Sequence, residues 1–120
     1  KIKHPYLIKL KTGEPCFLGA IGQFQRGGMA ESRDGDGFVI ITAGSGAGLL
    51  DIHDRRPLVL SSGCAANWLD PELSPDEAEE IAREHCLAVD EFDWYPVPSA
   101  VGNVRNDGAH LIERISDPVL

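Results

Sequence analysis

Thr42-Ala43-Gly44-Ser45-Gly46-Ala47-Gly48-Leu49-Leu50-Asp51-Ile52-His53-Asp54-Arg55-Arg56-Pro57 is the stretch on which the reading of this chain turns. The end of an apolar strand runs into a glycine-rich loop. A histidine follows, set among two acids and two arginines, and a second apolar strand begins at Pro57. Two nucleotide-binding readings of the glycines fail. A dinucleotide fingerprint needs glycine where Leu49 stands, and a phosphate loop needs a Gly-Lys-Ser/Thr ending that is absent. What remains is a plain connector, or a loop whose bare backbone lets a ligand come close.

Outward from this stretch the chain is β-rich. Residues 5–10 (PYLIKL), 16–21 and 38–42 are dense in β-branched and aromatic side chains and predict strands. Residues 57–60, 96–101 and 111–115 read the same way. Turn signals separate them at Lys11-Thr12-Gly13-Glu14, Arg26-Gly27-Gly28 and Asp34-Gly35-Asp36-Gly37. One helix is well marked. Ser74-Pro75-Asp76-Glu77 offers a capping serine, a proline at the first helical position and a glutamate at the third. Ala78, Ile81, Ala82 and His85 then share one face. A shorter helix is expected over 64–69, with Trp68 anchoring it to a core. The expected class is α+β, a single domain over 1–120 with a core of mainly antiparallel strands and two or three short helices.

The composition excludes some functions. A net charge of −8 argues against a surface coated in basic residues for nucleic acid, so any DNA footprint must be local. No apolar run approaches the roughly 18 residues of a membrane span, and no apolar signal core follows the N-terminal Lys1-Ile2-Lys3-His4-Pro5. Cys16, Cys64 and Cys86 share no C-x-x-C spacing and cannot all pair, which fits a reducing cytoplasm. No metal site and no cofactor is expected. His85 and Cys86 lack a second ligand pair at zinc spacing.

His53 is the leading candidate for proton chemistry, because an imidazole can take and give a proton near neutral pH. Asp51 or Asp54 would orient it, and Arg55 or Arg56 would hold an anion beside it. The competing reading is a surface ion-pair cluster with no chemistry. Cys16 sits in an apolar run and reads as a buried small hydrophobe rather than a nucleophile. Trp94 and Tyr95 read as core more readily than as platforms for stacked bases. Gly102-Asn103-Val104-Arg105-Asn106-Asp107-Gly108 reads as a polar turn.

Asp51-Ile52-His53-Asp54-Arg55-Arg56-Pro57-Leu58-Val59-Leu60 resembles the I-H-D-R-M-P signature of the SRAP family (SOS response-associated peptidase). The resemblance extends to His4-Pro5-Tyr6-Leu7-Ile8, to Phe17-Leu18-Gly19-Ala20-Ile21-Gly22, and to residues 38–43 and 94–108, in the family's order. It implies a protein that binds single-stranded DNA containing abasic sites and captures the open-chain sugar through an N-terminal cysteine. Amine and thiol would close on the aldehyde as a thiazolidine. Carried over by position, His53 falls on the family's catalytic histidine, and Arg55 on a DNA-contacting arginine. Thr42 falls beside the DNA backbone, and Asn103 and Arg105 in a late polar loop. Arg56 replaces a methionine and is given only an electrostatic role.

The sequence also departs from the pattern. Lys1 begins it, the three cysteines have their amines in peptide bonds, and the family's N-A-R-A-E-like and G-F-Y-E-W-like segments are not in it. The expectation is therefore the C-terminal portion of an SRAP domain, unable to crosslink alone and partnered by an N-terminal segment of the same protein. The alternative is a non-catalytic DNA-binding or interaction module. Peptidase activity is expected at most as self-removal of an initiator methionine.

Overall fold

Three of the expected strands each break at one residue, and the three breaks meet. The computed structural model describes residues 3–23, 34–45 and 52–116. The chain divides into two units, Lys1–Pro15 with Asp90–Leu120, and Cys16–Val89.

In the second unit, β2 (Phe17–Leu18) and β3 (Ala20–Gln23) flank Gly19, β4 (Gly37–Ile40) and β5 (Thr42–Gly44) flank Ile41, and β6 (Arg55–Pro57) and β7 (Val59–Leu60) flank Leu58. Each strand changes partner at its break, giving three antiparallel ribbons, β2–β7, β3–β4 and β5–β6. The breaks are closed by a cycle of main-chain bonds. Gly19 N–H donates to the Leu58 carbonyl (2.8 Å), Leu58 N–H to Ile41 (2.8 Å), and Ile41 N–H to Gly19 (2.9 Å). A side chain at position 19 would collide with Leu58: an added Cβ would lie 2.8 Å from its Cδ2. Glycine is what lets the three backbones approach.

The core of this unit lies beside that junction. Leu58, Leu60 and Ile81 are buried, with Ile41, Cys64, Ala65, Trp68, Leu73, Ala82 and Cys86 packed against them. Helix α1 (Ser62–Trp68) starts at Ser61, whose hydroxyl accepts the Cys64 N–H (3.2 Å). Helix α2 (Pro75–Glu84) starts at Ser74, whose hydroxyl accepts the Glu77 N–H (3.1 Å), with Pro75 in the first turn. Both caps satisfy donors that a helix start leaves unpaired. Trp68 anchors α1 as its position predicts, and its indole N–H also donates to the Ala20 carbonyl (2.9 Å).

The β3–β4 ribbon lies away from this core. Its register puts Ile21 opposite Val39, and Phe38 and Ile40 on the other face, and Ile21 (57%), Phe38 (65%) and Val39 (61%) are all well exposed. Cys16 is exposed rather than buried. It precedes β2, whose Phe17 and Leu18 are themselves exposed, so the apolar run does not mark a buried strand here.

In the first unit, β1 (Tyr6–Leu10) pairs antiparallel with β8 (Phe92–Pro96), Tyr6 opposite Pro96 and Leu10 opposite Phe92. One face buries Leu10 and Phe92, and Val97 is buried just beyond the strand. On the other, the Tyr95 ring has the Lys9 ammonium and the Arg114 guanidinium each 5.9 Å from its centre. Its hydroxyl donates to the Ile112 carbonyl (2.7 Å). Tyr95 is thus engaged within its own unit, and Trp94 is half-buried.

The strands expected over 96–101 and 111–115 are not strands. Pro96 and Pro98 lack the N–H groups a ladder needs, and Ser99–Gly102 turns as a short 3-10 helix. Ala109–Ile112 forms another, entered through Gly108 at a φ of 123°. The strand lies earlier, over the aromatic Phe92-Asp93-Trp94-Tyr95 run. The expected turn at Asp34-Gly35 is present, with Gly35 at a φ of 97°. The turn at Arg26-Gly27-Gly28 lies outside the described residues. Among the described residues no helix is long and apolar enough to cross a membrane.

Candidate functional site

The site is built on the outer edge of β6. Ser45 N–H donates to Asp54 (2.9 Å) and Leu58 N–H to Ile41 (2.8 Å), and the register runs Thr42 to Pro57, Ala43 to Arg56 and Gly44 to Arg55. Bonded and unbonded pairs alternate along an antiparallel ladder. Gly44–Arg55 and Thr42–Pro57 are therefore the unbonded pairs. Two consequences follow. Pro57 needs no N–H toward β5, and the N–H and C=O of Arg55 point away from β5, toward the open edge.

His53 occupies that edge. Its Nδ1 lies 2.8 Å from the Arg55 carbonyl oxygen and 3.0 Å from the Arg55 amide nitrogen. The Asp54 carboxylate is 3.4 Å from the same ring nitrogen. The His53 side chain is 69% exposed, and its ring is held through Nδ1. No hydrogen bond occupies Nε2 among the described residues. Of the two acids expected to orient the ring, Asp54 is in place. Asp51 and the glycines Gly46 and Gly48 lie outside the described residues.

Arg55 turns back across the ribbon. Its Nη2 donates to the Thr42 hydroxyl (2.7 Å) and to the Thr42 carbonyl (3.1 Å). The register places both side chains on one face, and both residues are exposed. Because the Thr42 hydroxyl accepts from the guanidinium, its own proton is left to donate elsewhere. The pair presents a held cation beside a hydroxyl donor, a combination suited to an anionic oxygen.

Arg56, expected in an electrostatic role, also has a structural one. It points to the opposite, half-buried face, where Nη1 donates to the Leu87 carbonyl (2.8 Å) and ties β6 to the segment after α2. The alternation that turns Arg55 outward turns its neighbour inward.

The structure brings Thr42, His53 and Arg55 together. Asn103 and Arg105 belong to the other unit. There the Asn103 side-chain oxygen accepts the Arg105 N–H (3.0 Å), and the Asn106 side-chain amide donates to Ala100 (2.9 Å). These bonds fix the loop, and the Asn103 and Arg105 side chains are exposed. His53 stands on open surface. It lines neither the hollow of about 440 Å³ along the β3–β4 ribbon nor the acidic one on α2. Among the described residues no group of three His, Cys, Asp or Glu side chains could hold a metal ion. The contribution missed in the sequence is the Arg55 main chain. Its signal was the ladder alternation, readable only once the register is known.

Known proteins resemble this chain in sequence and in fold. The family model described as SOS response associated peptidase (SRAP) matches residues 1–104. The abasic site processing protein YedK of Escherichia coli is 49% identical over 115 residues, covering 94% of this chain and 50% of that protein. A solved phage-related protein from Bordetella bronchiseptica superposes with a TM-score of 0.63 at 35% identity, over 80% of this chain and 43% of that one. A solved protein from Bacteroides thetaiotaomicron gives a TM-score of 0.66 at 22% identity, over 94% of this chain and 49% of that one, a likeness of fold. The chain spans about half the length of the curated relatives it matches. By the extent of the family match and the identity to its relatives, this chain belongs to the SRAP family.

Proposed function

We propose that this chain is the C-terminal portion of an SRAP domain that processes abasic sites in single-stranded DNA, with His53 moving protons and the Arg55–Thr42 pair holding a backbone phosphate. The observation that carries the reading is Arg55, whose main chain anchors the exposed His53 imidazole while its guanidinium is held at Thr42. The name borne by YedK supports the substrate class.

The covalent step calls for a cysteine with a free amine, which Cys16, Cys64 and Cys86 do not offer. The reading assigns that group to the N-terminal portion of the domain. Amine and sugar aldehyde lose one water to form an imine. The thiol sulfur then bonds to the imine carbon as its proton passes to nitrogen, closing a thiazolidine. His53 Nε2 would take a proton as the sugar ring opens and return it to the departing hydroxyl. Arg55 and Thr42 would fix the strand without reading its sequence.

The test uses the protein carrying this chain with a cysteine at its mature N-terminus, incubated with an abasic oligonucleotide. His53→Ala is expected to slow crosslink formation or its reversal by roughly 100-fold or more, the usual worth of a positioned acid–base group. An unchanged rate in a denaturing gel time course overturns the assignment. A second reading, a DNA-binding or interaction module without chemistry, rests on the exposed Arg55–Thr42 pair alone. It predicts retention of the oligonucleotide with no covalent product in the native protein.

A further inference from the structure

We infer that the Arg55 peptide groups hold the His53 ring in either neutral tautomer, so that Nε2 can change between hydrogen-bond acceptor and donor while the ring stays in place. The observation is the double approach to one atom, with Nδ1 at 2.8 Å from the Arg55 oxygen and 3.0 Å from the Arg55 nitrogen. A neutral ring nitrogen either carries a proton or does not, so it cannot serve both contacts at once. With the proton on Nδ1, the ring donates to the Arg55 carbonyl and Nε2 presents a lone pair. With Nδ1 bare, it accepts the Arg55 N–H and Nε2 carries the proton.

The doubly protonated ring is held as well, through the Arg55 carbonyl and the Asp54 carboxylate at 3.4 Å. Each of the three forms therefore keeps a partner at Nδ1. A histidine oriented by a lone carbonyl or carboxylate is restricted instead to the form with its proton on the oriented nitrogen.

The arrangement follows from the ladder. Arg55 sits in an unbonded pair, so its N–H and C=O project together from the open edge of β6, where a neighbouring strand would otherwise bind. The ring nitrogen takes the place of that strand. Arg55 is thus a positioning residue through its main chain, separate from what its guanidinium does at Thr42.

The inference deepens the proposed function and rests on it for its use. The Nδ1–H form makes Nε2 a base, and the Nε2–H form makes it a neutral donor that can orient a sugar or phosphate oxygen. Either ligand chemistry selects its own tautomer without a rotation of the side chain.

The experiment is nitrogen-15 NMR of the labelled protein in the absence of DNA, at a pH where the ring is neutral, with His53→Gln identifying the His53 signals. The expected result has two parts. Both ring nitrogens resonate between the protonated and unprotonated types, the minor tautomer holding at least about a tenth of the population, as for two bonded forms of similar strength. A scalar coupling through the hydrogen bond links the Arg55 amide nitrogen to His53 Nδ1.

A single tautomer overturns the inference. So does a mixture without the coupling, which would mean a ring free in solvent. Crosslinking to abasic DNA is read separately. Capture with a single tautomer sinks the inference alone, and two held tautomers without capture sink the proposed function alone.

Discussion

Gly19→Ala puts a methyl group where three backbones meet. Its Cβ would lie 2.8 Å from Leu58 Cδ2 and 3.3 Å from Leu58 Cγ, and Leu58 is only 3% exposed, so the leucine has no solvent to swing into. Forcing extra volume into such a site costs about 1–3 kcal/mol. Replacing glycine with alanine also stiffens the unfolded chain and returns about 0.4–1 kcal/mol. The net expectation is a loss of about 1–2 kcal/mol, roughly a 5- to 30-fold rise in the unfolded fraction.

A double-mutant cycle isolates the cause. Leu58→Ala alone should cost about 2–5 kcal/mol through the cavity it leaves. It also removes both close contacts, and the next nearest atom, Leu58 Cβ, lies at an ordinary 3.6 Å. Gly19→Ala added to Leu58→Ala should therefore cost almost nothing. Urea unfolding followed by circular dichroism measures all four proteins. Strict additivity, or a parental midpoint for Gly19→Ala, refutes the packing argument at the junction.

Other substitutions probe separate links. Trp68→Phe keeps most of the packing but strips the donor from the Ala20 carbonyl, and about 1–2 kcal/mol should be lost in the same unfolding assay. Ser74→Ala removes the α2 cap and should cost about 1 kcal/mol, with Ser74→Asp recovering most of it. Arg55→Ala should lower affinity for single-stranded DNA and reduce the slope of log K against log salt by about 0.7, one phosphate's worth on a single strand. An unchanged slope in a fluorescence-anisotropy titration would dismiss the phosphate role.

Much of this was legible in residue order. Ser74-Pro75-Asp76-Glu77 announced α2 because capping chemistry is local. The His53-Asp54-Arg55 run marked the candidate site because it sets an imidazole, a carboxylate and a guanidinium side by side. Less legible was anything set by register. Residues 16–21, 38–42 and 57–60 each look like one strand, since nothing local tells a chain to change partner at Gly19, Ile41 or Leu58. Only the long-range bonds do. The outward Arg55 and inward Arg56 are adjacent and chemically alike, and alternation alone separates their tasks. The run from Pro96 misled because apolar side chains outweighed two prolines that cannot donate. Cys16 misled because its apolar neighbours Phe17 and Leu18 are themselves exposed.

The β3–β4 ribbon has a practical consequence for anyone handling this chain. Ile21 and Val39 face one way, Phe38 and Ile40 the other, and among the described residues neither strand has a second neighbour. Greasy flanks and two free rows of amides are the ingredients of strand-to-strand sticking between molecules. Polypeptide kept at high concentration should grow in hydrodynamic size, and a lysine at position 39 should keep it dispersed without touching the imidazole.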